Sequence, residues 1–386
     1  MRYLVVFTGG GTGGHVFPGF AVAEELGTRY GVEIVWIGSR RGIERRLVEE
    51  RGLRYSWVFV GKLRRYFSLQ NLVDAARLPA GVLMAIFRLW RMKPAVVFSK
   101  GGFVAVPVVI AAAVLRIPVV AHESDYDPGL ATRISARFAV KVLVPYQESV
   151  EFFDGAIRDR VVVTGNPVRA AVAAGDAQRG RRLLGMSGAR PIVLFLGGSL
   201  GSAQINELLE CVLDRLLESC DVVHQTGAHQ TGAHQTGAHQ TGAHQAHALH
   251  DGRSVAAGRK GAYYHTPFFA EEFPDVLAAA DLVVSRAGAG TVWENFTAGK
   301  AAVLVPLGAA GSRGDQLRNA ELCRARGAAK VLEPNEATPE RLLSTLLALI
   351  HNHAEREQLA RRARAMAVPE AAARIAEIVD RQVGES

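Results

Sequence analysis

Thr8-Gly9-Gly10-Gly11-Thr12-Gly13-Gly14-His15-Val16-Phe17-Pro18-Gly19 follows an apolar run at 3–7 and precedes a helical stretch at 20–26. A glycine-rich turn between a buried strand and a helix is the entry to a doubly wound α/β domain. Glycine backbones reach positive φ and turn their N–H groups toward one point, and the helix N-terminus that follows adds about half a positive charge there. The expected occupant is an anion, first of all a phosphate-bearing ligand. Leu196-Gly197-Gly198-Ser199-Leu200-Gly201-Ser202 repeats the arrangement between an apolar run at 192–196 and a helical stretch at 203–217. Two similar halves are therefore predicted.

Working outward, apolar runs at 33–37, 56–60, 95–99, 118–122 and 141–144 alternate with amphipathic segments in the first half, and runs at 221–225, 261–265, 282–285 and 302–305 do so in the second. Most are apolar on both faces, as parallel strands covered by helices on two sides must be. After 161–164, Gly165-Asn166-Pro167-Val168-Arg169 gives a turn signal followed by small and polar residues to about Gly180, which places a hinge there. Residues 339–383 read as helical.

The length of 386 residues fits two domains of ordinary size, and 49% hydrophobic against 21% charged residues describes an enzyme-like globular body. No segment reaches the ~18 apolar residues that read as a spanning helix. Arg2 leads straight into a strand, so no export signal is expected. Cys211, Cys220 and Cys323 are widely spaced, which argues against a disulfide framework or a zinc site and fits a reduced, cytoplasmic setting. A net charge of +8 implies an anionic partner: nucleic acid, acidic lipid or a polyphosphate ligand. Neither aromatic platforms nor a helix-turn-helix signal supports nucleic acid.

His224-Gln225-Thr226-Gly227-Ala228 occurs four times in tandem, ending at His244-Gln245. Five histidines at that spacing invite a metal reading, but a glycine-containing tract offers ligands no fixed geometry, and a solvated loop is expected instead. Only the first copy, which continues a strand pattern, is expected to matter for folding.

The first loop contains Gly9-x-Gly11-x-x-Gly14, yet the second strand ends in Gly38-Ser39-Arg40-Arg41 without the acid that a nicotinamide ribose needs. No Gly-Lys-Ser or Gly-Lys-Thr closes either loop, which excludes a Walker-type phosphate loop. His15, at the helix entry, is placed to act as a cation or general base, or as a packed cap. His122-Glu123-Ser124-Asp125-Tyr126-Asp127-Pro128-Gly129 brings carboxylates to the end of a parallel strand, where open α/β sheets bind ligands; Asp127 before Pro128 reads as a helix cap. Ser285-Arg286-Ala287-Gly288-Ala289-Gly290-Thr291-Val292-Trp293-Glu294 lets a ligand approach the backbone, and Glu294 can accept ribose hydroxyls or simply complement the helix dipole.

In order along the chain, Gly10-Gly11-Thr12-Gly13-Gly14-His15 with Pro18-Gly19, His122-Glu123, Gly165-Asn166-Pro167-Val168-Arg169, Gly197-Gly198-Ser199, Ser285-Arg286-Ala287-Gly288, Thr291-Val292 with Glu294, and Gln316 with Asn319-Ala320 resemble the MurG family of glycosyltransferases. The resemblance covers the whole chain. It implies the GT-B architecture, two Rossmann-like doubly wound parallel-sheet domains facing a cleft. The expected divisions are an acceptor- and membrane-facing domain at 1–166, a UDP-sugar domain at 167–366 with a low-complexity insertion at 224–245, and a helix at 367–386 returning to the first domain.

The resemblance further implies inverting transfer of N-acetylglucosamine from UDP-N-acetylglucosamine to the 4-hydroxyl of undecaprenyl-pyrophosphoryl-N-acetylmuramoyl-pentapeptide, without cofactor or metal. The runner-up is another GT-B transferase with a different lipid or small-molecule acceptor. His15 is the first candidate base and Glu123 the second. Substrate contacts are implied for Thr12, Gly13, Gly14, Asp125, Arg169, Ser199, Phe269, Ala289, Gly290, Thr291, Val292, Trp293, Glu294 and Gln316. Two departures stand out: Ser124-Asp125 replaces the family's Gln-Asn, and Leu200 replaces a glutamine. Leu83, Ile86, Phe87, Leu89 and Trp90 beside Arg77, Arg88, Arg91 and Lys93, with Lys62, Arg64 and Arg65 nearby, suit either an anionic lipid surface on the cytoplasmic face of the inner membrane or a buried core helix with basic ends.

Overall fold

The computed structural model describes residues 3–61, 69–186, 188–198, 201–227, 253–254, 261–308 and 314–384, with the backbone alone for 69–77 and 253–254. The chain divides into two compact units, Met1–Arg169 with Val368–Ser386, and Ala170–Ala367.

The first unit is built on seven strands, β1 (Leu4–Thr8), β2 (Glu33–Ser39), β3 (Arg54–Val58), β4 (Val96–Ser99), β5 (Val119–His122), β6 (Lys141–Val144) and β7 (Val161–Val163), in the order β3-β2-β1-β4-β5-β6-β7. Every pairing is parallel; Val5, for instance, lies beside Ile34 on one side and Val96 on the other. Because successive side chains point to opposite faces, Val5 and Phe7 join Val16, Phe20 and Trp36 while Val6 joins Ile37, Leu89 and Val108. Such two-sided burial accounts for the uninterrupted apolar runs. The order reverses between β1 and β4, so their carboxyl ends form the crevice where such sheets take ligands.

The helix Gly13–Tyr30 leaves the first glycine turn and stops at Gly31, whose φ of 62° is the left-handed conformation of a helix end. It crosses β2 closely at Gly19, where a Cβ would stand 2.6 Å from the Trp36 ring. Trp36 in turn donates its Nε1 hydrogen to the Gly9 carbonyl at 3.0 Å, tying core to loop. The final helix, Ala371–Gly384, adds Ile375, Ala376 and Val379 to the same cluster.

The second unit holds β8 (Ile192–Leu196), β9 (Asp221–Gln225), β10 (Arg253–Ser254), β11 (Tyr263–Thr266), β12 (Leu282–Ser285), β13 (Ala301–Leu304) and β14 (Lys330–Val331), in the order β10-β11-β9-β8-β12-β13-β14. All pairs are parallel except β10 with β11. Here the reversal falls between β8 and β12. The strands β10 and β14, each two residues long, were not foreseen, since so short a run has no periodicity to read. The helical tail is three helices: Pro339–His351, His353–Ala365 and Ala371–Gly384. Asn352 separates the first two, its side chain accepting the Glu355 N–H at 3.1 Å as an N-cap.

Candidate active site

At the carboxyl edge of the first sheet, the turns after β1 and β4 interlock. Gly101 and Gly102 follow β4 with φ of 80° and 76°, and a Cβ on Gly102 would stand 2.6 Å from the Gly10 carbonyl oxygen. Only glycine allows this approach. The His15 ring lies against the same turn, 3.2 Å from a Cβ built on Gly102 and 4.0 Å from one built on Gly101. His15 therefore stands at the switch point, half-buried at the start of its helix.

Lys100, between β4 and this turn, is 1% exposed. Its Nζ is 2.7 Å from His122 Nδ1 and 2.6 Å from Ser124 Oγ, and Ser124 Oγ donates on to Asn166 Oδ1 at 3.0 Å. With Nδ1 accepting from lysine, His122 carries its hydrogen on Nε2, which faces the Gly165 carbonyl at 3.4 Å. Burial pushes the Lys100 ammonium down to about 7, against the pull of Glu123 and Asp125. Burial and the neighbouring lysine hold His122 well below the usual histidine range.

Glu123 is 3% exposed, and both of its oxygens are engaged. Oε1 accepts the N–H groups of Ser124 (2.8 Å) and Asp125 (3.1 Å), while Oε2 accepts the Gly129 N–H (3.0 Å) and the Thr132 hydroxyl (2.6 Å). These bonds fold the loop 123–129 back on itself and fit a carboxylate that shapes the loop better than one that takes a proton from a substrate. Asp125 sits on this loop, nearly buried.

The first glycine loop is also closed from within. Glu44, fully buried in the helix Ile43–Glu50, accepts the Gly11 N–H at 3.1 Å and the Ser39 N–H at 2.9 Å. One donor expected to face a bound anion thus faces a carboxylate of the protein itself. Of the other loop residues, Thr12 is the exposed N-cap of the helix, Gly13 is buried and Gly14 is exposed.

At the corresponding edge of the second sheet, an amide, a histidine and an arginine make the ties. Gln225 Oε1 accepts the Phe269 N–H at 3.1 Å, and Gln225 Nε2 donates to the Gly198 carbonyl at 3.3 Å. His224 lies between Asn206 Oδ1 at 2.9 Å and the Tyr263 hydroxyl at 3.0 Å. The first copy of the pentapeptide repeat is therefore woven into β9, and Thr226 and Gly227 continue by donating their N–H groups to the Thr266 and Pro267 carbonyls. Arg286 Nε donates to Ser202 Oγ at 2.7 Å, joining the loops after β12 and β8. Ser199, Leu200 and residues 228–245 lie outside the described residues.

The helix Ala289–Ala298 follows an extended Gly288, leaving Ala289, Gly290 and Thr291 as its first turn. Backbone N–H groups at such a start have no partner within the helix. Val292 and Trp293 belong to the core instead: each is 1% exposed, and the Val292 N–H is taken by the Gly288 carbonyl. The helix turns these two side chains inward, which leaves a ligand only their backbone, while Glu294 remains half-buried at its surface. Gln316 Oε1 accepts the Leu307 N–H at 3.0 Å, and Asn319 Nδ2 donates to the Ala287 carbonyl at 3.0 Å. Phe269 is buried against Tyr264, with its N–H taken by Gln225. Arg169, half-buried, ends the continuous part of the first unit.

His15, Glu123 and Asp125 thus share the edge of one sheet, and residues 289–291, Glu294, Phe269 and Gln316 belong to the other unit. Sequence reading missed Glu44, Lys100 and the Gly101-Gly102 turn. A Gly-Gly pair directly after an apolar run was the available signal for the last.

Two doubly wound parallel sheets, each with a glycine-bearing loop at its switch point, define a two-domain fold of the GT-B kind. Residues 5–144 match the glycosyltransferase family 28 N-terminal domain and residues 192–375 its C-terminal domain. The UDP-N-acetylglucosamine--N-acetylmuramyl-(pentapeptide) pyrophosphoryl-undecaprenol N-acetylglucosamine transferase of Treponema pallidum is 42% identical over 374 residues, covering 97% of this chain and 94% of its own length. The Clostridium botulinum protein of the same name is 40% identical over 348 residues, covering 90% and 91%. The crystal structure of Acinetobacter baumannii MurG, 26% identical, covers 99% of this chain and 100% of its own with a TM-score of 0.70. Staphylococcus aureus MnaA bound to UDP shares the fold at 12% identity, with a TM-score of 0.68 and coverage of 100% and 97%. The chain belongs to the MurG family of glycosyltransferase family 28.

Proposed function

We propose that this chain transfers N-acetylglucosamine from UDP-N-acetylglucosamine to the 4-hydroxyl of undecaprenyl-pyrophosphoryl-N-acetylmuramoyl-pentapeptide, with inversion. The observation that carries this reading is identity of about two-fifths with transferases named for that reaction, spread over nearly the whole chain. The acceptor oxygen attacks the anomeric carbon, the bond from that carbon to the UDP oxygen breaks, and UDP leaves with the bonding pair. The hydroxyl proton must pass to a base. His15 is that base in this reading, because the Glu123 oxygens are committed to four internal hydrogen bonds. The N–H groups of residues 289–291 and the helix dipole hold the diphosphate as negative charge grows on it. Glu294 accepts the ribose hydroxyls, Gln316 and Phe269 border the nucleotide sugar, and Thr12, Gly13, Gly14, Asp125, Arg169 and Ser199 complete the substrate contacts. Labelled UDP-N-acetylglucosamine incubated with the lipid-linked muramoyl-pentapeptide tests the assignment; absence of a labelled disaccharide lipid would sink it.

The acceptor's lipid requires contact with a bilayer. Among the described residues no helix is long and apolar enough to cross one. The helix Leu69–Met92 buries Ala85 and Leu89 but leaves Leu83, Phe87 and Trp90 at 67%, 56% and 62% exposure. Spacing of four and three residues puts these on one face. Arg91 lies over the Phe87 ring at 5.8 Å, and Lys93 is exposed beyond the helix end. Leu89, expected on the lipid face, is instead core, and Ile86 is partly buried against the same cluster. Arg88 turns to Ser56 at 2.7 Å. Lys62, Arg64, Arg65 and the Arg77 side chain lie outside the described residues. This face is the anionic-lipid contact of a peripheral protein on the cytoplasmic side of the inner membrane. Phe87→Ser with Trp90→Ser should reduce sedimentation with anionic vesicles while turnover on detergent-dissolved acceptor changes little; unaltered vesicle binding would remove the face from the reading.

A further inference from the structure

We propose that Lys100 is a positioning residue for glycosyl transfer, its ammonium holding the loop 123–129 and the Gly101-Gly102 turn in the arrangement against which His15 and Asp125 work. Lys100 stands at the switch point, one residue past β4, and its contacts reach β5 through His122, the loop beyond β5 through Ser124, and the end of β7 through Asn166. One side chain thereby gathers the carboxyl ends of three strands on the edge that carries the candidate base.

Burying an ammonium is costly, and replacing a whole buried ion pair by apolar groups is often neutral, but removing the cation alone leaves the carboxylates beside it without a counterion and lowers stability as well. In Lys100→Met, Ser124 keeps Asn166 and Glu123 keeps its four donors, while His122 Nδ1 loses the donor it accepts from. What an apolar substitute cannot supply is a positive charge beside Glu123 and Asp125. The Asp125 carboxylate has that charge beside it.

The charged and titratable groups around the ammonium are His122 from β5, Glu123 and Asp125 from the following loop, and, across the Gly101-Gly102 turn, His15 from the first helix. As pH rises above about 7 the ammonium loses its proton, and the two carboxylates lose their counterion. Turnover should fall on that limb. Stability moves the other way: the unfolded chain then holds more protons at this position than the folded one, so raising pH favours folding. A role confined to stability cannot produce an alkaline loss of turnover.

The inference rests on the carboxyl edge of the first sheet being the site of proton removal, which His15→Ala tests separately. The experiment compares wild type, Lys100→Met and Ser124→Ala as full-length proteins, measuring transfer kinetics against pH, UDP affinity by calorimetry and melting temperature. Lys100→Met should lower kcat by about 10- to 100-fold, leave UDP affinity within about twofold, and lack the alkaline limb of the wild type. Ser124→Ala, which retains the ammonium and removes one tie, should lower kcat by a smaller factor and keep the limb. Wild-type kcat and pH profile in Lys100→Met would overturn the proposal, as would a lowered melting temperature with kcat per folded molecule unchanged. Should Lys100→Met not fold, unchanged kcat in Ser124→Ala overturns it alone. If His15→Ala keeps full turnover the site reading fails; if His15→Ala is impaired while Lys100→Met is not, only the role of Lys100 fails.

Discussion

Lys100 and Lys300 occupy opposite edges of two similar sheets. Lys100 follows β4 at the carboxyl edge of the first, with its ammonium on a histidine, a hydroxyl and a loop bearing two carboxylates. Lys300 precedes β13 at the amino edge of the second, with Nζ donating to the carbonyls of Ala278 at 2.6 Å and Ala280 at 2.9 Å. Burial pushes the first down to about 7 and the second to about 8, so the perturbation is of one kind. The surroundings separate them. The carbonyls held by Lys300 belong to the end of the helix Phe273–Ala279 and the turn after it, where a cation complements the helix dipole and serves packing. Lys100 touches groups that titrate or line the switch point. A perturbed pKa alone therefore does not mark a functional site; its place on the sheet does. Were Lys300→Met to depress turnover as Lys100→Met is expected to, that distinction would collapse.

The largest expected effect sharpens the comparison at the carboxyl edge. His15→Ala should lower kcat by roughly 10²- to 10⁴-fold, the usual span for loss of a general base, with UDP affinity little changed. Calorimetry and steady-state kinetics on one preparation give both numbers. Equal losses in affinity and turnover would make His15 a binding or capping residue.

The second unit's ligand edge is tied differently, through the Gln225 amide and the Arg286–Ser202 bond. Glu294→Ala should weaken UDP binding by about 1–3 kcal/mol, because ribose hydroxyls would lose their acceptor in a partly desolvated position. An affinity unchanged by the substitution would remove Glu294 from the site.

Stability against pH tests both lysines at once. Each folded-state value lies below the ordinary lysine value of about 10.4, so between the two the unfolded chain binds more protons and stability rises with pH. The rise should begin near 7 for Lys100 and near 8 for Lys300. Urea midpoints of the two single methionine variants, measured against wild type across this window, should each have lost part of the slope; a slope equal to the wild type's in either would mean that the lysine is not held as described.

Much of the fold was legible because two-sided burial leaves long apolar runs, and β6, β8, β9 and β12 begin and end where those runs do. The lysine was not. A single Lys after a strand reads as a solvated end, and only the strand order, which sets β4 beside β1, shows that it is enclosed. Glu44 was hidden in the same way, lying in a different helix from the loop it closes. Within the contiguous stretch 289–294, side-chain direction was not legible. A run of letters does not record the roughly 100° turn per residue that sends Val292 and Trp293 inward while Glu294 stays at the surface.

The smallest expected effect concerns the repeat. Its first copy provides His224 and Gln225, which bond to Asn206, Tyr263, Gly198 and Phe269, and Thr226 and Gly227, which continue the pairing toward β11. Exact repetition means that deleting residues 226–240 brings Thr241 and Gly242 directly after Gln225, so every one of those bonds can form again. What changes is the length of chain between β9 and β10. Loop-closure entropy rises by only about 0.6 kcal/mol per doubling, so shortening this connection should alter stability by less than about 1 kcal/mol, in the stabilising direction. Melting temperature, transfer rate and UDP affinity should all match the parent. A large fall in any of them would mean that the additional copies support the second unit's ligand edge, whereas tight stoichiometric zinc or nickel binding by the parent, abolished by the deletion, would make the histidines ligands after all.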